Sequence, residues 1–172
     1  MARSKSDIAN SAIRIFLQKV GVFYDEARGF EKFVPNKKQK EQLLKTFNYK
    51  CCYCDADITE RSLSQDHLVP MNKASLGLHA WGNVVPCCKV CNNEKQQNEW
   101  KTFLGTKSKG KTYKQREKII KNFVKKMNYQ PNLHIDKFAN NLYQDVGEVS
   151  MTLIGLRLRQ AEDVIKNILN KQ

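Results

Sequence analysis

The stretch that decides the fold runs from Cys51 to Lys95 and reads CCYCDADITERSLSQDHLVPMNKASLGLHAWGNVVPCCKVCNNEK. It contains two Cys-x-x-Cys pairs, Cys51/Cys54 and Cys88/Cys91, a few tens of residues apart. Each pair presents two thiolates on a short loop, and this spacing is typical of a structural zinc site with four cysteine ligands. Such a site has no open coordination position. We therefore expect Zn²⁺ to hold the fold together while the chemistry takes place between the two pairs.

The overall composition indicates one globular domain inside the cell. The chain has 172 residues, of which 41% are hydrophobic and 27% are charged, enough for one domain with its own core. No apolar run is long enough to cross a bilayer, and the polar N-terminus lacks the apolar region of an export signal. We therefore expect a cytoplasmic protein with no membrane partner. Six cysteines could form three disulfides, but disulfide scaffolds are usually shorter secreted chains, which favours zinc.

The charge of the chain indicates a polyanionic partner. The net charge is +13, and the segment from Lys101 to Lys126 holds ten basic residues against one acidic residue, Glu117. A cluster of one sign repels itself, so a phosphate backbone explains it better than solubility or a membrane surface. The residues that we predict to contact the phosphates are Lys107, Lys109, Lys111, Lys114, Arg116 and Lys118.

Hydrophobic periodicity predicts helices on both sides of the cysteine-rich centre. An N-terminal extension, residues 1–48, contains one helix around residues 8–16 and a second at 37–47 that buries Leu43, Leu44 and Phe47. The centre is residues 49–100. The basic C-terminal region, 101–172, reads as a flexible loop at 105–110, a helix at 113–127 ended by Pro131, and two helices at 136–143 and 150–170.

The last predicted helix carries an apolar stripe formed by Ala161, Val164, Ile165, Ile168 and Leu169. A stripe of this kind predicts packing against the core, and a dimer contact is the alternative. A homodimer therefore stays open.

Between the cysteine pairs, the sequence predicts a strand at residues 63–70, a second strand at 83–86 and a helix that opens at Cys91. In this order the chain shows Cys51-x-x-Cys54, Asp66-His67-x-x-Pro70, Asn83-Val84-Val85-Pro86 and Cys88-x-x-Cys91-Asn92-x-x-Lys95. The set resembles the HNH, or ββα-metal, nuclease family in its zinc-ribbon form. The resemblance covers under a third of the chain. It implies an α+β fold in which a small ββα-metal core is stapled by the zinc site and flanked by N- and C-terminal helices.

The resemblance also implies a role for each motif residue. His67 would be the general base on water, a role that a neutral imidazole suits near neutral pH. Asp66 and Asn92 would supply oxygens to one Mg²⁺ or Mn²⁺ ion, and Asn83 would brace the loop that orients His67. The family often has histidine at its third letter, whereas this chain has Asn92 in a His-Asn-Asn form. An amide oxygen is harder than imidazole and favours Mg²⁺.

Five further residues stand close to the motif. Lys95, one turn beyond Asn92, is a predicted phosphate contact, with a plain surface lysine as the alternative. Cys52 and Cys87 are read as buried small residues or free thiols, because the spacing favours their neighbours as zinc ligands. Trp81 is expected in the core and His79 on the surface.

The sequence therefore predicts a metal-dependent endonuclease that hydrolyses phosphodiester bonds in duplex DNA, leaving 5′-phosphate and 3′-hydroxyl ends as the resemblance implies. A small chain with substantial flanking regions favours a sequence-specific type II restriction enzyme. The alternatives are a homing or phage-type HNH nicking endonuclease and a non-catalytic zinc-ribbon module that binds nucleic acid. A zinc-stabilised protein-interaction module would leave the basic stretch unexplained.

Overall fold

A computed structural model describes residues 4–130 and 134–169. Within them the chain forms six helices and one two-stranded antiparallel sheet, the predicted α+β class. The helices are α1 (Lys5–Ala27), α2 (Lys37–Thr46), α3 (Lys89–Lys95), α4 (Trp100–Lys107), α5 (Gly110–Lys126) and α6 (Asp136–Leu169), and the strands are β1 (Leu63–His67) and β2 (Val84–Cys88). In the described part of the chain, no helix combines the length and the apolar character that a bilayer crossing requires.

The centre of the molecule is a ββα unit. β1 and β2 pair antiparallel, with His67 opposite Val84 and Leu63 opposite Cys88. α3 follows β2 directly, because Cys88 is its N-cap residue and accepts from the backbone N–H of Cys91 at 3.4 Å. The helix therefore begins slightly earlier than predicted. This arrangement puts the second cysteine pair and the C-terminal motif residues on one short helix.

The main core surrounds this unit on the side of α2, α4 and α5. The ring of Phe47 packs edge-on against Phe123 and that of Tyr53 against Phe103, with centroid distances of 5.2 and 5.0 Å. Burial of a large apolar side chain stabilises the fold by about 1.5–3 kcal/mol. The predicted residues of α2 are all in this core: Leu43, Leu44 and Phe47.

A second core joins α1 and the start of α6 to the long connection between the strands. Ile13 and Leu17 of α1 pack with Leu78, Ala80 and Tyr129. The contact is close: a Cβ atom added to Gly21 would lie 2.5 Å from the carbonyl oxygen of His79. Glycine in a helix interior costs about 1 kcal/mol relative to alanine, and the close approach of the two backbones accounts for it here.

A buried ion pair fixes the same junction. Asp25 is fully buried and accepts from the backbone N–H groups of Phe33, at 2.9 Å, and Trp81, at 3.1 Å. Arg28 pairs with Asp25 at 2.6 Å and donates to the carbonyl of Trp81 at 3.2 Å. Burial raises the pKa of Asp25, and the backbone N–H of Phe33 and the Arg28 guanidinium act in the opposite direction. Trp81 is in the core, as predicted.

The predicted loop at residues 105–110 is wrong. α4 continues through Lys107, and only Ser108 and Lys109 separate it from α5, which begins at Gly110. Serine and glycine in this stretch suggested flexibility, but burial of Phe103 and Leu104 holds the segment in a helix. Gly110 has a φ of 54°, which glycine adopts without strain and which allows the sharp turn into α5.

The two predicted C-terminal helices are one helix of 34 residues, α6. Gly147 does not interrupt it; a Cβ atom there would lie 2.9 Å from the aliphatic chain of Lys5, so this glycine lets α6 approach α1. The prediction of core packing for the apolar stripe is also wrong, since Ala161, Val164 and Ile165 are exposed. Pro131 and the side chains of Ile168 and Leu169 lie outside the described residues.

Candidate active site

Four cysteines meet at the base of the ββα unit. The sulfur atoms of Cys51, Cys54, Cys88 and Cys91 all lie within 4.8 Å of one another. Cys54 Sγ and Cys88 Sγ are 3.8 Å apart. Four sulfurs at about 2.3 Å from one tetrahedral zinc ion are about 3.8 Å from each other, so the cluster has the dimensions of such a site. The two pairs therefore form a set that could bind a metal such as zinc.

The other two cysteines differ from these four. Cys52 and Cys87 are buried, and burial raises the pKa of both thiols, which keeps them protonated. In contrast, the pKa of Cys51 is lowered, chiefly by the neighbouring thiols of Cys52 and Cys91.

Asp66 lies near the end of β1 with its carboxylate turned into the protein. It is 6% exposed, accepts from Tyr53 Oη at 2.5 Å and pairs with Lys95 Nζ at 3.1 Å. Burial raises the pKa of Asp66, and the Lys95 ammonium and the Tyr53 hydroxyl oppose that increase. Both of these contacts are to Oδ2, and Lys95 Nζ also donates to Oδ1 at 3.4 Å. Each carboxylate oxygen can accept two hydrogen bonds or ligands, so Oδ1 keeps acceptor capacity for a further ligand.

Lys95 is fully buried, which contradicts both predicted readings, phosphate contact and surface lysine. Besides its pair with Asp66, its Nζ donates to the backbone carbonyl of His67 at 2.8 Å. Three residues after Asn92, Lys95 lies on the side of α3 that faces β1, and periodicity alone gave no reason to bury a charge there. Lys95 thus holds the Asp66-His67 peptide against α3.

His67 ends β1 and faces a second histidine. Its Nε2 atom is 3.0 Å from Nδ1 of His79, and the two ring centroids are 5.2 Å apart. Burial lowers the pKa of His67 to about 3, and His79, Lys95 and Arg14 add to that decrease. His67 is therefore neutral at physiological pH. The expectation that His79 is exposed is wrong: it is half-buried, and its ring packs edge-on against Phe33.

Asn83 is fully buried and ties together the two chain segments that carry these histidines. Its Oδ1 accepts from the backbone N–H of Val69 at 2.8 Å, and its Nδ2 donates to the carbonyls of Val69 at 3.0 Å and Leu78 at 2.8 Å. Val69 is two residues beyond His67, and Leu78 immediately precedes His79. The Asn83 side chain thus uses the donor and the acceptor of its amide together, the property on which the predicted bracing role depends.

A cleft of about 1360 Å³ opens beside these residues. Asp66, His67 and Asn92 all line it, so the structure brings the predicted base and both predicted metal ligands to one cavity. The opposite wall was not foreseen: α1 contributes Asp7, Asn10, Ser11 and Arg14, and the connection after β1 contributes Met71, Asn72 and Lys73. Periodicity identified the apolar side of α1 and gave no signal that its polar side borders the motif.

The predicted DNA-contacting residues separate into two groups. Arg116 is 4% exposed, donates to the carbonyl of Cys51 and pairs with Asp55 at 3.0 Å, so it anchors α5 to the first cysteine pair. Lys107 is half-buried and paired with Glu94. The prediction is therefore wrong for Arg116, whose charge is used internally. Four others are exposed and are not among the residues that line the cleft: Lys109, Lys111, Lys114 and Lys118.

Comparison with known proteins gives a match at this part of the molecule. Residues 51–104, under a third of the chain, match the family model described as HNH endonuclease. The matched range includes both cysteine pairs, the hairpin, α3 and the motif residues. No curated protein matches the chain. The segment 51–104, with its cysteine cluster and its ββα unit, is thus the part of the chain that is similar to HNH endonucleases.

Proposed function

We propose that the protein is a metal-dependent endonuclease that hydrolyses phosphodiester bonds in duplex DNA. The observation that carries this proposal is the convergence of Asp66, His67 and Asn92 on one cleft, within a segment that matches HNH endonucleases. Hydrolysis of a phosphodiester needs a base for water, a cation for the developing charge and a rigid frame for both. The cleft offers residues for each requirement.

His67 is the general base in this proposal. Its imidazole is neutral, and the carbonyl of His67 is held by Lys95 while Asn83 fixes the backbone two residues further on. These two backbone contacts fix the chain at His67 and directly after it, which keeps the base within the short reach of water that proton transfer demands.

Asp66 and Asn92 are the proposed ligands of a catalytic Mg²⁺ or Mn²⁺ ion. Both line the cleft, and carboxylate and amide oxygens are the donors that hard cations prefer. When bound, such an ion stabilises negative charge on the scissile phosphate and the leaving oxygen. The buried Lys95 ammonium favours the ionised form of Asp66, the form that binds a cation.

The four-cysteine cluster is the proposed Zn²⁺ site with a structural role. It joins the first cysteine pair, Cys51 and Cys54, to the N-terminus of α3. The ion would therefore fix the helix that carries Asn92 relative to the hairpin. A closed set of four sulfurs leaves no coordination position for substrate.

The proposed DNA contacts follow from the charges that the fold leaves exposed. Arg14 and Lys73 line the same cleft as His67 and are proposed to contact the phosphates next to the scissile bond. The exposed lysines of the basic segment, Lys109, Lys111, Lys114 and Lys118, are proposed to contact phosphates further along the duplex.

We further propose a sequence-specific type II restriction enzyme that works as a homodimer through α6. Met151, Ile154, Leu158 and Ile165 are between 45% and 57% exposed and follow the three-four spacing of a coiled-coil seam. Arg157 and Glu162 flank this seam at the positions that form ion pairs between two parallel copies. Two copies provide one active site for each strand of a duplex.

Cleavage of a long mixed-sequence DNA with Mg²⁺, resolved on a gel, tests the function. Discrete bands support a restriction enzyme, a smear supports a nonspecific nuclease, and intact DNA with a mobility shift supports the binding module.

His67→Ala should reduce the cleavage rate by about 10²-fold or more, with duplex affinity unchanged, because a general base contributes on this scale. His134→Ala, away from the motif, is the matched control. Wild-type rates in His67→Ala would remove His67 from the mechanism.

A further inference from the structure

We propose that His79 is a positioning residue for His67. It accepts a hydrogen bond from Nε2–H of His67, which leaves Nδ1 of His67 as the nitrogen that takes a proton from water. The inference rests on the proposed role of His67 as the base, and it assigns that base a tautomer and the residue that selects it.

The contact between the rings carries one proton. Nε2 of His67 and Nδ1 of His79 are 3.0 Å apart, a hydrogen-bond distance between two ring nitrogens. A neutral imidazole has one N–H donor and one lone-pair acceptor, so one ring must donate and the other accept.

The direction of the hydrogen bond follows from what a base requires. If His79 donated, the lone pair on Nε2 of His67 would be occupied and its Nδ1 would carry the proton, leaving no nitrogen to accept a proton from water. If His67 donates, Nδ1 keeps its lone pair. Since Nε2 is engaged by His79, Nδ1 is the ring nitrogen left for the cleft that His67 lines. Only the second direction gives a working base.

His79 is fixed at the backbone more tightly than a loop residue needs to be. The carbonyl before it, on Leu78, accepts from Asn83, and the Leu78 N–H donates to Tyr129 Oη at 3.2 Å. Gly21 of α1 packs against the carbonyl of His79 itself. Trp81, two residues after His79, donates its backbone N–H to Asp25 of α1. These anchors come from three parts of the chain and all constrain the position of one imidazole.

A close backbone contact within the connection between the strands sets the separation of the two histidines. Gly77 donates its N–H to the carbonyl of Pro70 at 3.0 Å, and a Cβ atom on Gly77 would lie 1.9 Å from the carbonyl oxygen of Val69. Only glycine allows the two segments to run this close. Together with the Asn83 amide, this contact brings residue 79 beside residue 67 although twelve positions separate them in the sequence.

Two variants of the 172-residue chain, loaded with zinc, test the proposal. His79→Leu removes the acceptor and retains bulk. His79→Asn places an amide oxygen near the position of Nδ1, because the side-chain oxygen of asparagine is as far from the backbone as that nitrogen. Circular dichroism confirms that each variant is folded.

The direct readout is the tautomer of His67 by long-range ¹H–¹⁵N NMR without Mg²⁺. The chain has three histidines, so each ring can be assigned from a single His→Asn variant. We expect the Nε2–H tautomer in the wild type and in His79→Asn, and a mixture or the Nδ1–H tautomer in His79→Leu.

The second readout is the rate of duplex DNA cleavage with Mg²⁺ over a range of DNA concentrations up to saturation. A base held in the wrong tautomer loses on the order of 10²- to 10⁴-fold in rate. We expect His79→Leu to lower kcat by at least about 10²-fold with little change in KM, and His79→Asn to recover most of it. An Nδ1–H tautomer in the wild type, or an unchanged tautomer and kcat in His79→Leu, overturns the proposal. If the wild type cuts no DNA, the proposed function fails, whereas the NMR result still decides the role of His79.

Discussion

The ββα unit with the helices packed against it and the C-terminal half of α6 both place side chains against their usual preference, in opposite ways. Around the ββα unit, Lys95 is fully buried and Arg116 of α5 is nearly so, each with a carboxylate and a carbonyl as partners. In α6, large apolar residues such as Ile154 and Leu158 are half exposed or more. Charges are costly to bury and apolar side chains are costly to expose, so each region carries a cost that its neighbours or a partner must offset.

The difference indicates where each region finds its stabilisation. The region around the ββα unit contains its own partners: Lys95 is matched by Asp66, and Arg116 by Asp55. Lys95 and Asp66 are both buried, and breaking a buried pair by removal of one member costs about 3–5 kcal/mol, so the Lys95 position tolerates little change. The exposed stripe of α6 has no such partner among the residues that the structure describes, which is why a second copy of the chain is the proposed occupant.

The largest expected effect comes from the cysteine cluster. Cys88→Ser should release zinc and unfold the domain, because structural zinc sites contribute about 10–16 kcal/mol in zinc-finger peptides, as much as the whole stability of a typical domain. The adjacent Cys87→Ser is the matched control: a hydroxyl there can still donate to the carbonyl of Ser64, so zinc and fold should be retained. Elemental analysis and circular dichroism measure both. A Cys88 variant with full zinc and a native spectrum would refute the site.

Sequence reasoning located the parts of the domain that depend on local spacing. Cys-x-x-Cys pairs and the order of Asp66, His67, Asn83 and Asn92 are short-range patterns, and the structure brings the two pairs to one cluster and three of the four motif residues to one cleft. What the sequence could not give are contacts across long separations. His79 and Arg14 reach His67 only because α1 packs on the strand connection, and no local pattern encodes that packing.

The misread lysine and the misread stripe share one physical cause. Residue type predicts exposure only on average. A lysine is usually exposed, but it can be buried where a carboxylate pairs with it. An apolar stripe is usually buried, but it stays exposed where a helix extends beyond the elements that pack against it. Lys95 meets Asp66 twenty-nine positions earlier in the chain. α6 packs on α1 over its first part and continues beyond it. Both outcomes depend on tertiary geometry.

A second, smaller effect tests whether α6 pairs with a copy of itself. Ile154→Glu combined with Leu158→Glu should weaken self-association by at least about 10³-fold, because apolar contacts of about 1.5–3 kcal/mol per side chain are lost from both copies. Sedimentation over a range of protein concentrations measures it, and circular dichroism should show a folded domain.

The control introduces the same two charges on other faces of the helix, as Thr152→Glu with Gln160→Glu.

A more specific test exchanges the flanking charges. Arg157→Glu alone should weaken the dimer through like-charge contact with Glu162 of the other copy, and adding Glu162→Arg should restore it. The dimer variant should also nick supercoiled plasmid where the wild type linearises it. A wild type that stays monomeric at every concentration contradicts the α6 dimer.

The smallest expected effect distinguishes exposed lysines from buried ones. Lys111, Lys114 and Lys118 are exposed on α5, so their replacement by glutamine should leave the fold intact. If each neutralises one phosphate, the slope of log affinity against log salt should flatten by about 0.9 per lysine. Binding should weaken equally on cognate and scrambled duplexes, because phosphate contacts position a protein and base contacts specify its site. Fluorescence anisotropy at several salt concentrations provides the slopes.

The matched control replaces three lysines at the start of α2: Lys37, Lys38 and Lys40. A slope that changes for α2 and stays constant for α5 would move the DNA contact to the N-terminal side of the domain and leave the α5 lysines as solvated charges.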